Sequence, residues 1–177
     1  MLILGLGGVG TEISRRAHAF GMRVMAIDPK DMERPPFVFS LDKPGNLMER
    51  LAQADVVILA CPLTNETRGF IGEKQFMTMK KTAYLINIAR KELVQKTALR
   101  EALEKHQIAG AGLNTPDYPW THNVVFSGNF DHQARNVQEL RLSRDSRERQ
   151  WRLIRENIRR FVAGEPLLAV VDKGKGF

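Results

Sequence analysis

The chain lacks several features that would place it in a specialised class of protein. It has one cysteine, Cys61, among 177 residues. This excludes an intrachain disulfide framework and is typical of a reducing compartment, so we expect a cytoplasmic protein. No apolar run approaches the length that spans a bilayer, and no signal peptide precedes the first apolar stretch. We therefore expect no membrane association, and we expect no metal site either.

The composition is that of a folded domain. Hydrophobic residues make up 43% of the chain and recur in periodic segments, which argues against intrinsic disorder. At this length we expect one domain, or one domain with an appendage, that buries roughly 70% of its unfolded surface. The net charge of +7 would suit an anionic partner, but much of the positive charge lies near the C-terminus.

The first 29 residues carry the pattern around which the chain is organised. Residues 1–4 are apolar and suited to a buried parallel strand, and three glycines follow in G-x-G-x-x-G spacing. A helix is predicted next, ending at Gly21, and a second strand at residues 23–27 is closed by Asp28. The glycines are Gly5, Gly7 and Gly10, and the apolar residues at helical period are Ile13, Ala17 and Phe20.

Each part of this pattern has a task in binding a dinucleotide. Gly5 permits a tight turn, Gly7 lets the backbone approach a pyrophosphate, and Gly10 allows close contact between helix and strand. The helix N-terminus, with Gly8 and Val9, offers unpaired N–H groups and the positive end of a dipole to the phosphates.

The residue that closes the second predicted strand bears on the choice of cofactor. Asp28 can accept hydrogen bonds from the adenosine ribose hydroxyls. Its charge would repel a 2′-phosphate, and Pro29 directly after it leaves no adjacent arginine, so we expect NAD to be preferred over NADP. The alternative is a glycine-rich turn without a ligand. The position of the glycines between strand and helix, with an acid at the expected distance, favours the dinucleotide.

Apolar strands alternate with amphipathic helices along the rest of the chain, after an irregular stretch marked by Pro35, Pro36 and Pro44. This alternation is typical of a doubly wound α/β domain on a parallel sheet, which gathers ligands at the C-terminal ends of its strands. Further strands are predicted at residues 56–60, 83–88, 108–113 and 123–126, and helices at residues 45–53 and 92–105, with short helices and turns over residues 65–79. One cofactor cleft is expected to collect the residues near the strand ends, which are Cys61, Pro62, Ile88, Ala89, Arg90 and Asn114.

Several segments of the sequence resemble the NAD-binding domain of the D-isomer-specific 2-hydroxyacid dehydrogenases. They are GLGGVG with Asp28, ADVVILACPLTNETRGFI, LINIARKELV, IAGAGLN and RENIRRFVAGEPLLAVVD, and their order is that of the family. The specificity comes chiefly from ACPLTNETRG together with INIARKELV. The resemblance implies a Rossmann-like fold, NAD(H) as partner, and hydride transfer between the nicotinamide and C2 of a small 2-keto or 2-hydroxy acid.

One of the three catalytic groups that the resemblance implies carries over. The family's substrate-binding arginine maps onto Arg90, and a guanidinium supplies the permanent charge and planar fork that a carboxylate requires. The alternative for Arg90 is a surface ion pair at a strand end. The family's acid histidine maps onto Asn129, which cannot supply a proton, and its Glu-Pro loop is missing. Asn114 stands where the family has an aspartate.

The remaining candidates for chemistry are weaker. His132, which follows Asp131, and His122 are alternative proton donors, but we expect both to be exposed loop residues. Cys61 is expected to be a buried strand-end residue rather than a nucleophile. We therefore expect an NAD-binding domain that is impaired in catalysis. A competent oxidoreductase with a substitute acid or a partner chain, and a non-enzymatic NAD-binding or interaction protein, are the alternatives.

The resemblance also bears on domain organisation. The family builds its substrate domain mainly from residues before the glycine motif, and we expect that domain to be largely absent here, as in a fragment, an internal start or a decayed enzyme. We predict the dinucleotide-binding domain over residues 1–132. Residues 133–177 are predicted to form a C-terminal helix and a tail that returns to the substrate domain in the family.

The C-terminal helix is predicted over residues 133–163 and is rich in arginine. Acidic residues are interspersed and no nucleic-acid-binding motif is present, so we expect a solvated charged face and no nucleic-acid partner. Without a substrate domain the apolar face has no partner, and we expect self-association into a homo-oligomer or poor solubility. That face comprises Trp151, Ile154, Ile158, Phe161 and Val162 at helical spacing, before Gly164 and Pro166 end the helix.

Overall fold

The structure is a computed structural model that describes residues 1–113, 124–126, 144–171 and 174. It divides the chain into two compact units, Met1–Ser127 and Gly128–Phe177. The predicted domain boundary at residues 132–133 lies outside the described residues. Within the part of the chain that is described, no helix has the length and apolar character needed to cross a membrane.

The first unit is built on one parallel sheet of seven strands, in the order β3-β2-β1-β4-β5-β6-β7. The order reverses at β1, as in a doubly wound sheet, and the predicted fold class is confirmed. The strands are β1 (Leu2–Leu4), β2 (Met25–Ile27), β3 (Ser40–Asp42), β4 (Val56–Leu59), β5 (Tyr84–Asn87), β6 (Gly110–Leu113) and β7 (Val124–Phe126).

Helices connect the strands of this unit. They are α1 (Gly8–Ala19), α2 (Leu47–Gln53), α3 (Glu73–Thr78) and α4 (Lys96–Glu104), with short 3₁₀ turns at Pro44–Asn46 and Lys91–Leu93. Side chains of each strand alternate between two layers of core. Leu2 and Leu4 of β1 face a cluster with Phe76 and Leu99, and Ile3 between them faces a second cluster with Ala17. The sheet is therefore buried on both faces, which explains its nearly continuous apolar strands.

Three sequence-based expectations differ from the structure. The apolar period predicts Phe20 on the buried face of the first helix, but Phe20 is 87% exposed. The reason is that α1 ends at Ala19, one residue before Phe20. The stretch predicted as irregular contains β3, which pairs with β2 beside the prolines and is short enough for its pattern to be missed. Residues 92–95, predicted as the first turn of a helix, precede α4, which begins at Lys96. Leu93 is nevertheless fully buried, so the apolar pattern was correct about burial but not about the helix start.

The second unit contains α5 (Arg144–Ala163) and part of the tail. Residues 133–143 of the predicted helix lie outside the described residues. α5 ends at Ala163 and is followed by Gly164, whose φ of +69° is in the left-handed region that glycine adopts readily. Asn157 anchors the tail, since its Nδ2 donates to the Leu168 carbonyl at 3.0 Å and its Oδ1 accepts from the Leu168 N–H at 2.8 Å.

Candidate functional site

The parallel register aligns the ends of the central strands along one edge of the sheet. Leu4 of β1 pairs with Ile27 of β2 and with Leu59 of β4, and Leu59 pairs with Asn87 of β5. Asn87 in turn pairs with Leu113 of β6. The loops that follow these residues therefore leave the sheet side by side, at the edge where doubly wound folds bind ligands.

The glycines of the first loop have distinct structural roles. Gly5 has a φ of +97°, and a Cβ atom there would lie 2.7 Å from the Cα atom of Cys61. A Cβ atom at Gly10 would lie 2.0 Å from the carbonyl oxygen of Gly5. At Gly7 and Gly8 a Cβ atom would meet no protein atom within 4 Å. Gly5 and Gly10 are thus required by the fold, whereas Gly7 and Gly8 leave the outer face of the loop open.

The N-terminus of α1 fits an anionic ligand. Gly7 is the N-cap residue and has no side chain to cap the helix, and no acidic residue lies in the first turn. The Gly8 and Val9 positions are exposed. The first N–H groups of a helix have no partner within the helix, so here they face outward with the positive end of the dipole. This geometry suits a pyrophosphate.

Asp28 ties the glycine loop to the end of β2. Its carboxylate is buried; Oδ2 accepts the N–H of Leu6 at 2.8 Å, and Oδ1 accepts the N–H of Lys30 at 2.9 Å. Lys43 fixes the same loop by donating to the carbonyls of Pro29 and Lys30 at 3.0 and 2.9 Å. Each carboxylate oxygen has a further lone pair, so Asp28 can accept ribose hydroxyls while it holds the loop.

The loop after β4 contacts the glycine loop through Cys61. Burial, with a smaller contribution from the nearby Asp28 charge, raises the pKa of the Cys61 thiol to about 11. A thiol with that pKa is neutral at physiological pH, in agreement with a packing role. Beyond it, Thr67 organises the exposed Pro62 turn. The Thr67 hydroxyl donates to the Pro62 carbonyl at 2.8 Å and accepts the N–H of Thr64 at 2.8 Å.

The loop after β5 carries Arg90 and is fixed at both ends. Asn87, which is 4% exposed, accepts the N–H of Ala89 with Oδ1 at 3.0 Å and donates from Nδ2 to the Arg90 carbonyl at 2.9 Å. Further along, the Ile71 N–H donates to the Leu93 carbonyl at 3.1 Å. Arg90 itself is exposed, and among the described residues its guanidinium has no hydrogen-bond or ion-pair partner. A permanent cation is therefore presented at this edge on a rigid turn.

The sequence-predicted residues fall into two sets. The structure brings one set together along the carboxyl edge of the sheet: Gly5, Gly7, Gly8, Val9, Gly10, Asp28, Cys61, Pro62, Ile88, Ala89 and Arg90. The other set, Asn114, His122, Asn129 and His132, lies outside the described residues. Sequence reasoning gave no role to Asn87, Thr64 and Thr67. The signal for Asn87 is a polar residue at the last position of an otherwise apolar strand, three residues before Arg90.

A parallel sheet that reverses at β1, with a glycine loop entering α1 and an acid closing β2, defines a dinucleotide-binding domain of the Rossmann type. The family model "D-isomer specific 2-hydroxyacid dehydrogenase, NAD binding domain" matches residues 1–124. The chain belongs to the D-isomer-specific 2-hydroxyacid dehydrogenase family, and the resemblance seen in the sequence is confirmed.

Similar proteins agree with this assignment. A glyoxylate reductase of Thermococcus gammatolerans is 36% identical over 176 residues, which cover 97% of this chain and 51% of that protein. A D-isomer-specific 2-hydroxyacid dehydrogenase of Xanthobacter autotrophicus, solved with NADPH and MES, superposes with a TM-score of 0.84 at 27% identity, covering 100% of this chain and 72% of that one. The NAD complex of a family member from Lactobacillus delbrueckii superposes with a TM-score of 0.60 at 35% identity, covering 71% of this chain and 45% of that one.

The comparisons support a coarser statement about the cofactor than the sequence prediction. The domain is of the NAD(P)-binding type, and its structural neighbours hold NADPH as well as NAD. The chain spans about half the length of the curated relatives it matches first.

Proposed function

We propose that the chain binds NAD(H) along the carboxyl edge of its sheet and receives the carboxylate of a small 2-keto acid at Arg90. The observation that carries the proposal is one continuous edge on which a buried acid after β2, an uncapped helix N-terminus after β1 and an exposed arginine after β5 follow in that order. The helix N-terminus takes the pyrophosphate and Asp28 takes the ribose hydroxyls. NAD(H), when bound, supplies or accepts the hydride.

The preferred cofactor is NAD rather than NADP. Asp28 is held in place by two backbone N–H groups, so it cannot swing aside to make room for a 2′-phosphate. Two like charges at hydrogen-bonding distance repel each other, and burial strengthens the repulsion. Titration with NADH and with NADPH tests this preference directly, because the two cofactors differ only in the 2′-phosphate.

Arg90 orients the substrate. Its guanidinium offers a two-pronged contact to a carboxylate and attracts electron density from the adjacent keto oxygen. The turn on which it sits is anchored by Asn87 and by the pairing of residues 69–71 with residues 92–95, so little ordering is required when an anion binds.

Catalysis by the chain is weak. The sequence places Asn129 at the position of the family's acid histidine, and an amide cannot protonate the developing alkoxide. The absence of a positioned acid costs typically about 10²–10⁴ in rate. We further propose residues 1–132 as the dinucleotide-binding domain, residues 133–177 as a helical appendage, and the cytoplasm as the compartment that suits a lone free thiol.

A paired experiment tests the proposal. Calorimetric titration with NADH measures cofactor binding, and NADH oxidation with glyoxylate, pyruvate and hydroxypyruvate measures turnover. We expect binding of NADH, weaker binding of NADPH, and slow or undetectable turnover. Absence of NADH binding would overturn the proposal as a whole.

The same experiment separates the alternatives. Fast turnover that Arg90→Ala abolishes would show a competent oxidoreductase, and loss of that turnover in His132→Ala would identify the substitute acid. NADH binding with no turnover and no carboxylate binding would indicate a non-enzymatic nucleotide-binding protein.

A further inference from the structure

The turn that carries Arg90 is held by a buried side chain at the end of β5. Asn87 is the last residue of β5, is 4% exposed, and lies in register between Leu59 of β4 and Leu113 of β6. It is one of three buried polar or charged residues among the described residues, with Ser14 and Asp28. A polar side chain is retained at such a position only if its hydrogen bonds repay its desolvation.

Both ends of the Asn87 amide are used within three residues. Oδ1 accepts the Ala89 N–H at 3.0 Å, and Nδ2 donates to the Arg90 carbonyl at 2.9 Å. The Arg90 carbonyl also accepts the Leu93 N–H at 3.2 Å. The Ile88–Ala89 peptide is thus fixed by the side chain of Asn87, and the Arg90–Lys91 peptide by Asn87 together with the 3₁₀ turn at Lys91–Leu93.

The far end of this segment is fixed separately. The Gly69 N–H donates to the Glu92 carbonyl at 2.7 Å, and the Gln95 N–H donates to the Ile71 carbonyl at 2.9 Å. The Gln95 side chain donates to the Gly69 carbonyl at 2.7 Å. Residues 92–95 are therefore anchored without Asn87, whereas Asn87 supplies the acceptor of the Ala89 N–H and one of the donors to the Arg90 carbonyl.

We infer that Asn87 is a positioning residue that sets the direction of the Arg90 side chain toward a bound carboxylate. The inference rests on the proposed function of Arg90. Only glutamine shares the side-chain amide, with its acceptor oxygen and donor nitrogen, and it is one methylene longer. An aspartate accepts from Ala89 but, while ionised, faces the Arg90 carbonyl with a negative charge. An alanine removes the acceptor of the Ala89 N–H and leaves the Arg90 carbonyl with the Leu93 N–H alone.

The test uses oxalate, a dicarboxylate that mimics a 2-keto acid, titrated into the complex of the full chain with NADH. We expect Asn87→Ala to weaken oxalate binding about tenfold, since displacing a binding group by about 1 Å has effects of this order or larger. Asn87→Asp provides a second variant of nearly the same volume. We expect it to weaken oxalate binding as well, while the Ala89 amide stays protected from hydrogen exchange because its acceptor remains.

A double-mutant cycle distinguishes positioning from general support of the fold. Arg90→Lys retains the charge but lacks the fork, so residual oxalate binding stays measurable. If Asn87 acts through Arg90, Asn87→Ala has little further effect on oxalate affinity in the Arg90→Lys background. An equal loss in both backgrounds, or unchanged oxalate affinity with a lower melting temperature, overturns the inference.

Two outcomes of the wild-type titrations bear on the two proposals differently. Failure to bind NADH rejects the proposed function. Binding of NADH without oxalate rejects the role of Asn87 and leaves nucleotide binding intact.

Asn46→Ala is the control variant, because Asn46 is an asparagine in the turn before α2 whose amide contacts Asp42 only weakly, at 3.4 Å. It should leave both affinities unchanged.

Discussion

Gly10 packs directly against the carbonyl group of Gly5: a Cβ atom at residue 10 would lie 2.0 Å from that oxygen. This contact sets how closely α1 approaches the end of β1. The two glycines are therefore one structural unit, in which Gly5 makes the turn at φ +97° and Gly10 lets the helix lie on it.

Gly10→Ala is expected to displace α1 from the sheet. Overpacking of this kind costs about 1–3 kcal/mol of unfolding free energy, and the displaced helix should also lose NADH affinity. Urea denaturation and NADH titration measure the two effects. Gly45→Ala is a suitable control, since a Cβ atom there meets no atom within 4 Å and the residue lies in a separate turn. Equal stability of Gly10→Ala and wild type would contradict the packing argument.

Gly7→Ala is expected to separate binding from folding. The φ of Gly7 is −71° and its Cβ position is open, so the unfolding free energy should stay unchanged. A pyrophosphate at the helix N-terminus would occupy the space of the new methyl group, and NADH affinity should fall about tenfold or more, equivalent to about 1.4 kcal/mol. Calorimetric titration measures the affinity. If the Gly7→Ala variant binds NADH as tightly as wild type does, the phosphates do not bind at this loop.

Cys61 is expected to react slowly with alkylating reagents. Its pKa of about 11 leaves the thiol neutral at pH 8, so little thiolate is available as the nucleophile. The rate of iodoacetamide labelling should be far below that of free glutathione at pH 8 and should rise as the pH approaches 11. Bound NADH should slow it further, because Cys61 contacts the glycine loop. Labelling as fast as that of glutathione would contradict the raised pKa of the partly buried Cys61 thiol.

The ion pair at the end of β3 should contribute stability that acid removes. Arg50 donates to both carboxylate oxygens of Asp42 at 2.7 and 3.0 Å, and this pairing lowers the pKa of Asp42 below 3.8. The unfolded state then binds more protons as the pH falls below about 4, so the contribution is present above the unfolded pKa and is lost as the pH falls through the folded pKa.

Asp42→Asn should therefore lower the urea midpoint at pH 7, and the difference from wild type should shrink as the pH falls toward 3. Asp31→Asn is the matched comparison, because Asp31 pairs with Lys43 at 2.7 Å with its carboxylate fully exposed. Exposed ion pairs contribute little to stability, so at pH 7 Asp31→Asn should lower the urea midpoint less than Asp42→Asn does. A loss that is independent of pH would mean that Asp42 acts through packing rather than through its charge.

The apolar face of α5 is expected to drive self-association. Ile158, Phe161 and Val162 are 59%, 77% and 81% exposed. Light scattering should detect species larger than a monomer, and Phe161→Glu should shift the distribution toward monomer. Phe20→Glu serves as control, since Phe20 is also strongly exposed, at 87%, but lies after α1. A monodisperse wild-type monomer would contradict the prediction.

Local patterns in the sequence determined most of the first unit. The glycine spacing, the acid after β2 and the apolar strands are short-range signals, and they identified the doubly wound sheet and the family. Phe20 and β3 escaped for physical reasons. α1 ended one residue before Phe20, the last residue of its apolar pattern. β3 has only three residues and lies at the edge of the sheet, so its pattern is too short to recognise.

Tertiary structure alone decided how the site is held together. Asp28 binds the Leu6 N–H across 22 residues, and Gly5 packs against Cys61 across 56 positions, contacts that sequence spacing does not encode. The role of Asn87 is different, since its partners are only two and three residues away. This role could not be predicted from the sequence, because the conformation of the Asn87 side chain is set only when the pairing of β4, β5 and β6 buries it. The sequence thus determined which residues meet at the edge of the sheet, whereas burial and hydrogen bonding decided which of them hold the others in place.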